Sequence, residues 1–478
     1  MNSAATANNL DLSTFAGHGF AVLGLGVSGL NAATALKNAG AHVLTWDDNE
    51  DRRTKAAGLG LATAESAEAD LSGVDTLVLS PGIPHGHPHS HPMIDRARAA
   101  GYEIVCDLEL LTRAAPDARY LGITGTNGKS TTTALIAHIL SEIGVANAMG
   151  GNIGAPGLGL PALDATGTYV LELSSYQLEL LPTAIFDVAI LLNITPDHLD
   201  RHGGMDGYVA AKQRIFDGQA AGQTAIVGID DDPSKAIFDT LKASSDAAIV
   251  PISTRATCAG GVYVQNGWLV DDRNGSAIQV LELAGLETLP GTHNAQNVAA
   301  AFAASSVIAG PENHDAIVAA IGTFPGLAHR QELVGYRGTV RFINDSKATN
   351  AEAAAHALSA YDNIYWILGG VAKDGGITSL VPLFERVRHA FLIGEAADSF
   401  DETLQGRIPT EISGDLAAAV TDAARLASHD GQSSATILLS PACASFDQFD
   451  SFEARGDAFR ARVQALDGFT PQRAGGTA

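Results

Sequence analysis

Short apolar runs alternate with helix-patterned segments along almost the whole chain, and that alternation limits the possible folds more than any single residue does. "FAVLGLGVSGLNAATALKNAGAHVLTWDD" reads as strand, glycine turn, helix and a second strand ending at Asp47. Further strand candidates lie in "VDTLVLSPGIP", "YEIVCDLELL", "TYVLELSS", "FDVAILLNITPDHLD" and "TAIVGIDDD". Later, "VRFINDSKATN", "IYWILGG", "HAFLIGE" and "ATILLSPACASFDQF" each run into a loop rich in Gly, Ser, Asp or Lys. Strands alternating with helices predict parallel sheets covered by helices. In open sheets of this kind, sites form outside the carboxyl ends of the strands, so polar residues clustered there are informative. With 478 residues the chain is too long for one ordinary core. Three domains are expected, 1–107, 108–325 and 326–478, with the Pro325-Gly326 dipeptide as a hinge.

Charge narrows the partners. Lys and Arg total 29 against 53 Asp and Glu, a formal charge of -24, which repels phosphate backbones and argues against nucleic acid. An anionic substrate would then need locally placed cations and backbone N–H groups. Cys106, Cys258 and Cys443 are far apart and odd in number, as free thiols in a reducing compartment would be. No apolar run approaches a membrane span, and "MNSAATANNLDLSTFAGHG" lacks the basic start and apolar core of a signal peptide. A cytoplasmic location is expected. "CAGGVYVQNGWLVDD" reads as a small β-hairpin excursion, and the tail beyond Phe469 as disordered.

The glycines of "GLGVSG" (Gly24, Gly26, Gly29), with Asp47 closing the next strand, fit a diphosphate turn and a ribose-binding carboxylate; a tight turn without ligand explains them equally. "YLGITGTNGKSTTTALI" carries more weight. Gly125 and Gly128 free backbone N–H groups to point inward, Lys129 supplies a point charge and Ser130 a hydroxyl for magnesium. Yet Ile123 stands where the usual phosphate-loop spacing has glycine. Glu172 lies within an apolar strand, which is costly for a carboxylate unless it is paired or metal-bound; an edge-strand Glu facing water is the plainer explanation. Asp197 and His198 follow another strand, and Lys212 lies on a helix, where it would by default be solvated. In the last block Asp345, Lys347 and Thr349 alternate, Lys373 sits in a glycine-rich loop, and Ser445 precedes Phe446, Phe449 and Phe452. Cations and hydroxyls on loops suit a small dicarboxylate.

Taken together, "GTNGKST", "LELSSYQLE", "NITPDHLDRH", "YVAAKQRIF", "NDSKATN" and "LSPACASFDQFDSFEARG" resemble the Mur ligase family, ATP-dependent amide-forming enzymes of peptidoglycan precursor synthesis. The resemblance spans roughly positions 18 to 465. It implies an α/β fold of three domains, each a mainly parallel sheet with flanking helices: Rossmann-like, phosphate-loop ATPase-like, then Rossmann-like. Within the family the motifs match the branch that joins UDP-N-acetylmuramoyl-L-alanine to D-glutamate. The resemblance implies Lys129, Glu172, His198 and Lys212 in catalysis, and Thr126, Asn127, Gly128, Lys129, Ser130, Thr131 and Thr132 on the ATP phosphates. Asn297, Arg330, Asp345 and Lys347 are implied elsewhere on ATP, with His329 near the phosphates. Ser28, Asp47, Ser80, Pro81, Gly82 and Asn152 are implied on the UDP substrate, and Thr349, Lys373, Ser445 and Phe452 on D-glutamate. Two magnesium ions are implied, one on Ser130 and Glu172, the other on His198 and a carbamylated Lys212. A monomer is expected, with the third block closing over the second. Residues 1 to about 17 and the segment Asp231 to Leu289 have no clear counterpart in the family pattern.

Overall fold

Gly19–Leu23 is buried at every residue, as a strand covered on both faces must be. The computed structural model describes residues 10–64, 70–373, 375–430 and 434–471. The chain divides into two compact units: residues 1–283 with 293–321, and residues 284–292 with 322–478.

The first unit holds two of the sheets. One is wholly parallel, in the order Ala62–Thr63, His42–Trp46, Gly19–Leu23, Thr76–Leu79, Glu103–Val105. The chain steps outward to one side of Gly19–Leu23 and then to the other. A crevice therefore opens between the ends of Gly19–Leu23 and Thr76–Leu79, the place where such a sheet takes a ligand. Helix Val27–Asn38 sits directly on that strand end: a Cβ on Gly29 would lie 1.8 Å from the Gly24 carbonyl oxygen.

In the second sheet Arg119–Thr124 pairs with Thr168–Glu172 on one side and Val188–Leu191 on the other, all parallel. Asn147–Gly151 lies beyond Thr168–Glu172, while Thr224–Gly228 and Ala248–Ser253 continue from Val188–Leu191. Next comes the expected hairpin, with Ile278–Glu282 paired outside it at the sheet's edge. Val262–Gln265 runs antiparallel to Trp268–Asp271 through Asn266 (φ 52°) and Gly267 (φ 80°), both left-handed as a two-residue turn of this hand requires. The expected boundary at 107/108 falls between these two sheets, inside the first unit.

The second unit carries the third sheet, in the order Thr410–Gly414, Val387–Ile393, Ile364–Gly369, Ala435–Leu439, Val340–Asn344, Glu332–Arg337, Phe469–Pro471. Ile364, Trp366 and Leu368 pack into one core and Tyr365 and Ile367 into the other, so the period-2 alternation fills both faces. The expectation of disorder past Phe469 is corrected for the first residues of that stretch. Phe469 packs on the second of these cores, and Phe469–Pro471 pairs antiparallel with Gly335–Arg337. Residues 472–478, and residues 1–9 of the leading segment, lie outside the described residues. Among the described residues no helix is long and apolar enough to cross a membrane.

Candidate active site

Arg119–Thr124 delivers the chain into a loop that turns directly into helix Lys129–Glu142. Gly128 has φ +87°, and a Cβ there would lie 2.2 Å from the Asn297 Oδ1; Gly125 has φ +155° and packs against Leu192. Those are the positions that need glycine. Ile123 is fully buried within the strand and pairs with Glu172 and Ile190, so it belongs to the sheet and not to the turn. The loop is held by Asn193, whose carbonyl accepts from the Thr126 N–H (2.9 Å) and whose Oδ1 accepts from the Asn127 N–H (2.9 Å). Gly128, at the helix start, has no side chain to cap it, and the positive end of the helix faces the loop. The Lys129 Nζ donates to the carbonyls of Gly125 (2.9 Å) and Thr126 (2.8 Å). Ser130 is buried, Thr131 is half-buried, and the Thr132 hydroxyl donates to Asn297 (3.2 Å). Asn297 is itself buried and donates to Asn294.

Glu172 closes an interior strand, not an edge, and is 1% exposed. Its Oε1 accepts from the Asn152 Nδ2 at 2.7 Å, while its buried Oε2 accepts from no described group. A buried carboxylate oxygen without a donor is costly, and a divalent cation is the natural counterpart. Lys212, on helix Met205–Gln213, is 2% exposed. Its Nζ donates to the Gly125 carbonyl (2.7 Å) and lies 4.7 Å over the Tyr208 ring. Burial, and then the charge of Lys129, pull its pKa well below the ordinary lysine value. Both ammonium groups thus converge on one carbonyl, with Glu172 in register beside the strand that leads to it. As an ammonium Lys212 does not fit a cation site; a low-pKa amine that takes up carbon dioxide would. His198 starts the turn Leu199–His202 with φ 52°, has its Nε2 3.4 Å from Asp197, and lies 5.3 Å from the Tyr176 ring. Tyr176 stacks on His202, which faces Tyr208, so an aromatic series joins His198 to the helix of Lys212.

The crevice of the first sheet is a cavity of about 710 Å³ whose walls include Gly24, Asp47, Arg52, Ser80, Gly82 and His91. Burial raises the Asp47 pKa, but hydrogen bonds from the Leu25 and Asn49 N–H groups and the Arg52 guanidinium outweigh that and hold it below the usual carboxylate value. The Ser80 hydroxyl donates to the Gly24 carbonyl at 2.9 Å, and Arg201 donates to the Gly82 carbonyl at 3.1 Å. Ser28 is half-buried in the first turn of the adjoining helix, and Pro81 is half-buried between Ser80 and Gly82. Nothing in the sequence marks Arg52 and His91 as partners of this cavity, since their nearness to it arises from the fold.

In the second unit Asp345, Lys347 and Thr349 follow the strand Val340–Asn344. Asp345 is buried and accepts from the Ser440 hydroxyl (2.8 Å) and the Gln331 N–H (3.1 Å); burial pushes its pKa up to about 7. The charge of half-buried Arg330 opposes that rise. The Lys347 Nζ lies 5.4 Å over the Phe452 ring, and the His329 ring is 6.3 Å from the same ring. The Thr349 N–H donates to the Lys347 carbonyl. Ser445 is buried, Lys373 is exposed, and a bridge between Val371 and Ala444 ties their loops together. Of the phenylalanines, Phe446 is 75% exposed and Phe449 packs on the core. All three cysteines are buried, and burial pushes each thiol pKa up.

Residues 123–305 match the Mur ligase middle domain. The chain is 52% identical over 446 residues to the UDP-N-acetylmuramoylalanine--D-glutamate ligase of Paramagnetospirillum magneticum, covering 93% of this chain and 96% of that protein. It is 50% identical over 467 residues to the enzyme of the same name from Rhodospirillum rubrum, covering 96% and 97%. Among solved structures, the UDP-N-acetylmuramate-alanine ligase of Thermotoga maritima has the same fold, with a TM-score of 0.55 at 16% identity over 94% of this chain and 99% of that one.

Proposed function

The chain belongs to the Mur ligase family, and from that premise we infer an ATP-dependent ligase that joins UDP-N-acetylmuramoyl-L-alanine to D-glutamate, giving ADP and phosphate in peptidoglycan precursor synthesis. The observation that carries the reading is the convergence of Lys129 and Lys212 on the Gly125 carbonyl beside the buried, partly unsatisfied Glu172.

The L-alanyl carboxylate attacks the γ-phosphorus of ATP, ADP leaves, and an acyl phosphate forms. Lys129 and the N–H groups opening its helix receive the charge gathered on the phosphoryl oxygens. The amine of D-glutamate then attacks the acyl carbon; a tetrahedral intermediate collapses, the amide remains and phosphate departs. Magnesium, held by Ser130 and Glu172 at one site and by His198 and carbamylated Lys212 at the other, would add positive charge to the same oxygens. On this reading the domain of residues 1–107 binds the UDP substrate, with Asp47 and the Ser80-Pro81-Gly82 turn in the cavity wall. Residues 108–325 bind ATP, and residues 326–478 bind D-glutamate through Thr349, Lys373, Ser445 and Phe452. The enzyme acts as a cytoplasmic monomer.

The test is phosphate release. It is expected only when ATP, UDP-N-acetylmuramoyl-L-alanine and D-glutamate are all present, and Lys129→Ala is expected to abolish it while leaving the far-ultraviolet circular dichroism unchanged. Release without D-glutamate would point to a plain ATPase.

A further inference from the structure

Arg455 is 1% exposed on the helix Phe452–Gln464 and makes no ion pair with any described carboxylate. A buried, unpaired guanidinium is costly unless it is well solvated by the protein itself. Backbone oxygens do that here. Nη1 and Nη2 both donate to the Cys443 carbonyl (3.1 Å each), Nη2 also donates to the Ser346 carbonyl (2.8 Å), and Nε donates to the Ser346 hydroxyl (2.9 Å). The Ser346 hydroxyl in turn donates to the Phe452 carbonyl at 2.8 Å. Burial lowers the pKa only to about 10, so the group stays protonated at neutral pH.

One planar cation therefore ties the loops of Ser346 and Cys443 to the first turn of its own helix. Ser346 lies between Asp345 and Lys347 on the loop that continues to Thr349; Cys443 shortly precedes Ser445; Phe452 opens the helix of Arg455 itself. A lysine carries three donors on a point charge and cannot reach two carbonyls and a hydroxyl in one plane. A neutral residue could pack in the space but would bring no positive charge beneath these loops.

We propose that Arg455 is a positioning residue for the amino-acid substrate: it sets the relative placement of the loops bearing Thr349, Ser445 and Phe452, and its charge favours a dicarboxylate there. The proposal rests on the assignment of those loops to D-glutamate.

The experiment uses the full chain with Arg455→Lys, Arg455→Gln, Ser346→Ala and Thr349→Ala, and measures kcat and a separate KM for each substrate. Arg455→Gln is expected to raise the KM for D-glutamate about tenfold or more, the scale of lost hydrogen bonds to a charged group, with the KM for ATP and for the UDP substrate within about twofold of the parent. Arg455→Lys is expected to recover part of that loss. Ser346→Ala keeps the charge and cuts the link to Phe452, and is expected to raise the same KM by a few fold; it serves as the test if the Arg455 variants do not fold. An unchanged D-glutamate KM in these variants, with Thr349→Ala raising it, overturns the role of Arg455 alone. An equal rise of all three KM values overturns it too, as it would mark a general structural role. If Thr349→Ala leaves the D-glutamate KM untouched, the loop assignment fails and the proposal with it.

Discussion

Asp345 keeps its proton to about pH 7 because its burial outweighs the hydrogen bonds from Ser440 and Gln331 and the nearby charge of Arg330. An unfolded aspartate loses its proton near pH 3.9, so the folded state binds the proton more tightly. Its contribution to stability is fully present below about pH 4 and is lost as pH rises through 7. Asp345→Asn cannot ionise. Its stability relative to the parent is therefore expected to improve between about pH 4 and pH 8, by on the order of 1.4 kcal/mol per pKa unit. Urea midpoints of both proteins at the two pH values measure this, and a pH-independent gap would refute it. Lys212 makes a second case. Burial and the charge of Lys129 lower its pKa, which favours the neutral, nucleophilic amine, and isotopically labelled bicarbonate is expected to give a carbamate carbon resonance that Lys212→Met lacks. The sequence made both residues candidates through their place after strands. It could not show their protonation, because groups that bury them come from other segments: the Gly125 loop, remote in sequence, covers the Lys212 Nζ.

At the scale of elements, the strand-to-helix turns decide where ligands can go. Gly29 has no room for a side chain against the Gly24 carbonyl, so Gly29→Ala must push helix Val27–Asn38 off its strand and deform the cavity wall. A loss of roughly 1–3 kcal/mol is expected, with a raised KM for the UDP substrate and an unchanged KM for ATP. Denaturant midpoints and initial rates check it; a stable variant with the parent's KM would show that the turn is not part of the site. This element was legible in advance, since glycine spacing and the 3.6-residue pattern are local. Its purpose was not: the same glycines suit a ligand-free turn, and only the fold shows the cavity lined by Asp47, Ser80 and Gly82 beside them.

For the whole molecule, a formal charge of -24 opposes the approach of substrates that are all anions. Raising ionic strength from about 0.01 to 0.15 M shortens the screening length from about 30 to 8 Å. The KM for the UDP substrate is therefore expected to fall by roughly two- to fivefold at constant magnesium. A rise would mean that local cations such as Arg52 govern its capture.

The sequence alone determined the α/β class, the strand and turn that form the phosphate loop, the hairpin through Asn266-Gly267, and which residues end up after strands. All of these follow from interactions between near neighbours: side-chain periodicity, and the left-handed backbone that glycine and asparagine tolerate. Tertiary structure decided the rest. It placed residues 284–292 with the second unit ahead of 293–321 in the first, left one Glu172 oxygen without a donor, raised the pKa of Asp345 and sealed Arg455 among carbonyls. Desolvation is the common cause: it depends on which remote segments cover a group, and no local pattern of residues records that.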